Sequence, residues 1–104
     1  MEKEEFLRQY PALSNTYDKF FAEAGPRVFE TPGLSPLLKK LNDDIVVCKP
    51  VAEVLESSLD TLNTLIGFYY ERNPPKKPED IEKLASLTLS FLLGVKNDYS
   101  SACK

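Results

Sequence analysis

Apolar residues recur along this chain at helical spacing, and the prolines fall between the periodic stretches rather than inside them. A short turn over residues 2–9 stops before Pro11. Leu13, Tyr17, Phe20, Phe21 and Ala24 then follow the i, i+4, i+7, i+8, i+11 pattern, which predicts a helix over residues 12–24 that Gly25-Pro26 ends. Arg27 to Gly33 reads as a loop held down by Val28 and Phe29, because Pro26, Pro32 and Pro36 allow no continuous helix there. Ser35-Pro36 has the form of an N-cap followed by a proline at the first helical position. Leu37, Leu38, Leu41, Ile45 and Cys48 share the next face, for a helix over 35–48. The run Ile45-Val46-Val47-Cys48 is β-branched enough for a strand, yet no second strand-like run exists to pair with it.

Pro50 opens a further stripe of Val51, Val54, Leu55, Leu59, Leu62, Leu65, Ile66 and Tyr69. It predicts the longest helix of the chain, over 50–72, roughly 33 Å at 1.5 Å per residue. Asn73-Pro-Pro-Lys-Lys-Pro78 stops it and starts a last helix over 78–97, whose Glu79, Asp80 and Glu82 suit the positive end of the helix dipole. On that helix Ile81, Leu84, Ala85, Leu87, Leu89, Phe91, Leu92, Leu93 and Val95 spread around most of the circumference, so cover from several neighbours is expected. The narrow remaining stripe holds Lys83 and the small residues Ser86, Ser90 and Gly94, spaced by four, which would let another helix approach closely. Residues 98–104 read as a flexible tail. The expectation is an all-α protein, a four- to five-helix bundle forming a single domain over 1–104.

Composition narrows the options. Thirteen Lys and Arg against sixteen Asp and Glu give a net charge of −3, the wrong sign for general binding to a phosphate backbone. The charged opening Met1-Glu-Lys-Glu-Glu-Phe6 leads into no secretory-type apolar stretch, and Leu84 to Val95 is shorter than the roughly 20 residues that span a bilayer. No membrane association is expected. Cys48 and Cys103 lie far apart without Cys-x-x-Cys spacing, so neither a disulfide framework nor a zinc site is suggested. Cys48 reads as a buried core thiol and the location as cytoplasmic.

Histidine is absent, which removes most hydrolase and metalloenzyme designs, and the scattered glycines at 25, 33, 67 and 94 form no phosphate-binding loop. Asp43 with Asp44, and Glu53 and Glu56 with Asp60, are the carboxylate groups to weigh, but the latter three fall on a solvent face. No catalytic residue, metal, cofactor or small-molecule substrate is therefore expected. The chain reads as a non-catalytic protein-binding module: a small subunit of a complex, an adaptor or an inhibitor, meeting another protein or a second copy of itself through an apolar helix face. Phe68, off the main stripe of its helix, together with Ser86, Ser90, Leu93 and Gly94, marks the candidate contact.

Two alternatives remain. Lys39, Lys40, Arg72, Lys76, Lys77 and Lys83 would form a nucleic-acid-binding patch if they converged. Separately, Ser57-Ser-Leu-Asp-Thr-Leu62 followed by Pro78-Glu-Asp-Ile-Glu-Lys-Leu84 resembles acyl carrier proteins over about a quarter of the chain. That resemblance implies phosphopantetheine attachment at Ser58. The chain departs from the family pattern in having Ser57 where the Asp precedes the modified serine, and in an apolar stripe that runs through Ser58 without the expected loop.

Overall fold

The computed structural model describes residues 1–103. It is all-helical, a bundle of five helices with no strand among the described residues. A radius of gyration of 13.3 Å matches the roughly 13 Å expected of one 100-residue domain. We label the helices α1 (Lys3–Gln9), α2 (residues 14–24), α3 (Leu34–Val46), α4 (Val51–Arg72) and α5 (Pro78–Ala102). A 3₁₀ turn, Pro26–Glu30, links α2 to α3 within the stretch expected to be a loop.

An aromatic cluster joins the N-terminal elements. Phe6 of α1 is fully buried, its ring centroid 5.0 Å from Tyr10, 5.1 Å from Tyr17 and 5.2 Å from Phe21. Phe21 stacks on Phe29 of the 3₁₀ turn, while Phe20 meets Phe91 of α5 edge to face at 5.3 Å. The middle turn of α2, Tyr17–Phe21, is wound as a π-helix, a local widening within a helix that carries two adjacent buried phenylalanines. Gly25, at φ 88°, then ends α2 in a conformation that a side chain would strain.

The prolines stand where a missing N–H costs little. α3 begins one residue earlier than the Ser35-Pro36 pattern suggests, after Gly33 at φ 78°. Pro36 falls at its third position, where the backbone N–H would still lack an intrahelical partner. Pro50 caps α4, and Pro78 opens α5, where the Asp80 carboxylate accepts the N–H groups of Lys76 (2.9 Å) and Lys77 (3.1 Å).

Three expectations need correction. First, residues 98–102 are not a tail but the last turn of α5, which makes α5 and not α4 the longest helix. They are ordered because Asp98 is buried at 3% exposure and the Tyr99 hydroxyl donates to the Lys49 carbonyl at 2.8 Å. Residue 104 lies outside the described residues.

Second, α5 is not enclosed. Phe91, Gly94 and Val95 are buried, but Ile81, Leu89 and Leu93 are 61%, 68% and 44% exposed. Val51, Leu55 and Leu59 of the α4 stripe are also exposed, and Ser57, Ser58 and Thr61 are buried instead. Small hydroxyl residues suit a close helix–helix approach, and two of these bond back to their own helix: Ser58 to the Val54 carbonyl at 2.7 Å and Thr61 to the Ser57 carbonyl at 2.8 Å.

Third, Cys48 is neither buried nor a free thiol. It sits at φ 52° just past the end of α3 and forms a disulfide with Cys103, with Cα atoms 5.6 Å apart. The 55-residue sequence separation hides a proximity that the bundle creates by laying the end of α5 against the α3–α4 turn. Closing so long a loop restricts the unfolded chain and is worth at most about 4 kcal/mol.

α5 approaches the start of α2 closely. A Cβ placed on Gly94 would lie 2.7 Å from the Thr16 Cα and 3.0 Å from the Asn15 carbonyl oxygen. One turn later, Asp98 accepts four hydrogen bonds: the Asn15 N–H (2.7 Å) and Nδ2 (3.0 Å), and the Thr16 N–H (2.9 Å) and Oγ1 (2.6 Å). No side chain of its own caps α2. Asp98 does so from another helix, placing a carboxylate where the dipole favours negative charge. Gly94→Ala is expected to destabilise the protein by about 2 kcal/mol through overpacking. Asp98→Ala, which strands those donors, is expected to cost about 3 kcal/mol and lower Tm by more than about 10 °C. Thermal unfolding followed by circular dichroism checks both. Reduction of the disulfide, read by the same melt, is expected to lower stability by about 2–4 kcal/mol.

Candidate functional site

Besides the Asp98 cap of α2, two constellations that combine burial with polar or charged groups bear on function. One is the α3–α4 contact. Asp44, on the face of α3 that carries Leu41 and Ile45, is 3% exposed. Its carboxylate accepts the Ser57 hydroxyl at 2.5 Å and lies 3.2 Å from Lys40 Nζ and 3.1 Å from Lys49 Nζ, while Lys40 also donates to Ser57 Oγ at 2.7 Å. Burial is the largest influence on Asp44 and would raise its pKa. The Ser57 hydrogen bond, then Lys49 and Lys40, outweigh it and hold the carboxyl below its ordinary value. Its hydrogen bond to the Asp44 carboxylate, and then the charge of that carboxylate, hold Lys49 above its ordinary value.

A serine 2.7 Å from a lysine has the outline of a nucleophile and its base. Here the Ser57 proton points to Asp44, Lys40 is ion-paired, and Ser57 is 2% exposed. The group acts as a clamp between α3 and α4.

The second constellation is a cavity of about 560 Å³ bounded by α2, the 3₁₀ turn, the C-terminal half of α4 and the N-terminal half of α5. Its floor is apolar and buried, formed by Phe20, Leu62 and Leu65. The exposed residues Glu23, Arg27, Arg72 and Lys83 line it toward solvent. The cavity lies where α4 and α5 approach the Pro-rich connector of residues 73–77.

The residues singled out from the sequence do not share one surface. Phe68 is half-buried, lines this cavity and carries the Arg72 guanidinium 4.5 Å from its ring centroid. Gly94 is buried against Thr16, so the close helix approach that its stripe suggested takes place inside the chain. Ser90 is half-buried, while Ser86 and Leu93 face solvent. Ser58 is 1% exposed in the middle of continuous α4, with its hydroxyl bonded to Val54, so the family resemblance finds no accessible attachment serine. Of the basic residues, Lys39, Lys40 and Arg72 each pair with a carboxylate, Asp43, Asp44 and Glu30. Helix projection marks Asp44 and Asp98 as carboxylates on apolar faces, a signal that sequence reasoning passed over; the cavity leaves no such mark.

No family model matches the chain, and no curated protein or solved structure matches it.

The low pKa of Asp44 has a pH consequence. A folded-state pKa below the ordinary value of 3.8 gives a stabilising contribution that is present above about pH 4 and is lost as pH falls through the lowered value. Wild-type stability is therefore expected to fall below about pH 4. Asp44→Asn should be less stable by about 1–3 kcal/mol at pH 7 and show a shallower acid dependence. Urea unfolding between pH 2 and 7 measures both.

Proposed function

We propose that the protein is a non-catalytic protein-binding module, a small subunit, adaptor or inhibitor, that meets its partner through the start of α4. One observation carries this reading. Val46 at the end of α3, Val47 in the α3–α4 turn, and Val51, Leu55 and Leu59, spaced by four along the first turns of α4, are 57%, 63%, 64%, 48% and 41% exposed. Single exposed apolar side chains are ordinary; a run of them along one connected segment is the kind of surface that partners cover. Glu53, Glu56 and Asp60 are exposed on the same helix, so the complementary surface is apolar with a basic rim. The disulfide joins this segment to the end of α5 and holds the turn in place.

The pairing of Cys48 with Cys103 bears on location as well. Disulfides persist in oxidising compartments and are rare in the cytosol, so it favours an oxidising environment over the cytoplasm expected from cysteine spacing. No helix among the described residues is long and apolar enough to cross a membrane.

The test is affinity capture from the source organism with wild-type and Leu55→Glu/Leu59→Glu baits, joined to light scattering on the pure protein. A partner held by the wild type and lost by the double variant is the expected result, with unchanged helical circular dichroism. An inert wild-type monomer, or an identical set of captured proteins on both baits, counts against the proposal.

A further inference from the structure

The cavity between α4 and α5 lies apart from that exposed segment, and its chemistry selects a different kind of ligand. At about 560 Å³ it is within the 300–1,000 Å³ typical of small-molecule sites. Its interior is apolar: Phe20, Leu62 and Leu65 below, Ile66, Leu84 and Leu87 at the sides. Three hydroxyl residues line it: Thr31 donates to the Val28 carbonyl at 2.6 Å, Thr88 donates to the Leu84 carbonyl at 2.9 Å, and the half-buried Tyr69 makes no side-chain hydrogen bond among the described residues. Both threonine protons are engaged within the chain, and no fully buried side-chain polar atom among the described residues lacks a partner. A polar group carried deep into this space would give up its water for little in return. Hydrocarbon would not.

The lining charge has the opposite sign to that of the whole protein. Arg27, Arg72 and Lys83 against Glu23 leave a local balance of +2 in a chain of net −3. Arg72 is partly engaged by Glu30 at 3.3 Å and by the Phe68 ring. Arg27 of the 3₁₀ turn and Lys83 of α5 have no carboxylate within 4 Å among the described residues, and they come from separate elements to line the same space. Apolar depth with unpaired cations toward solvent complements a molecule with a hydrocarbon tail and one anionic end.

We propose that this cavity binds a free long-chain carboxylate, its aliphatic tail on the Phe20, Leu62 and Leu65 floor and its carboxylate between Arg27 and Lys83. The proposal does not depend on the protein-binding reading, since no residue of the Val46–Leu59 segment lines the cavity.

The test titrates the full-length, disulfide-intact protein with dodecanoate and with dodecyltrimethylammonium below their micellar concentrations. Calorimetry gives affinity, and methyl NMR of Ile66, Leu84 and Leu87 gives location. Dodecanoate is expected to bind one to one, at least tenfold tighter than the cationic amphiphile, and to shift those methyls. Arg27→Gln/Lys83→Gln, two exposed positions, should weaken dodecanoate about tenfold and leave the cationic amphiphile unchanged. Leu84→Trp, which fills the cavity, should abolish binding of both. Equal affinity for the two head groups, dodecanoate binding that the double variant leaves intact, or shifts centred on Val51, Leu55 and Leu59 would each overturn the proposal. So would binding only to phosphatidylglycerol vesicles, or methyl shifts produced by an acidic amphipathic peptide and not by dodecanoate.

Discussion

The bundle depends on one carboxylate. Asp98 ends the buried face of α5 and supplies the N-terminal cap that α2 lacks, with four hydrogen bonds to two consecutive residues. This geometry requires the backbones to come close, and Gly94, one turn earlier, permits it. Neither feature works alone: a side chain at 94 would hold α2 away from the carboxylate, and without the carboxylate the approach would bury unsatisfied N–H groups. Because α2 carries the aromatic cluster that binds α1 and the 3₁₀ turn, docking α2 on α5 assembles the N-terminal third onto the rest.

A second polar clamp plays the matching part on the other side. Asp44, Ser57, Lys40 and Lys49 hold α3 to α4, and the disulfide closes the same end of the molecule by joining the α3–α4 turn to the end of α5. At the opposite end of the α4–α5 hairpin no disulfide or buried ion pair joins the two helices among the described residues. There the two helices lead into the Pro-rich connector and leave a cavity between them. One end is pinned and the other holds an open cavity.

Much of the helical architecture was legible in the chain because helix formation leaves local marks. Periodic apolar residues placed α2, α3 and α4 and the start of α5 within about two residues, the end of α5 running five residues past its expected stop, and prolines marked the boundaries at 26, 50 and 78. Periodicity was a weaker guide to burial. It assigned Val54, Leu62 and Leu65 to the covered face of α4 together with Leu55 and Leu59; the first three are buried, but Leu55 and Leu59 face solvent and the small residues Ser57 and Thr61 join Ser58 on the covered face. Of the small stripe Ser86, Ser90 and Gly94, Gly94 alone lies at a close helix approach, and the approaching helix belongs to the same chain, while Ser86 faces solvent.

The sequence by itself determined the helices, their order and their breaks, because each follows from side-chain spacing and backbone chemistry within a few residues. Tertiary structure alone decided which helix caps which, whether two cysteines 55 residues apart meet, which apolar residues stay in solvent, and where a cavity opens. These are relations between distant segments, set by the angles and distances at which helices pack, and no local pattern encodes them.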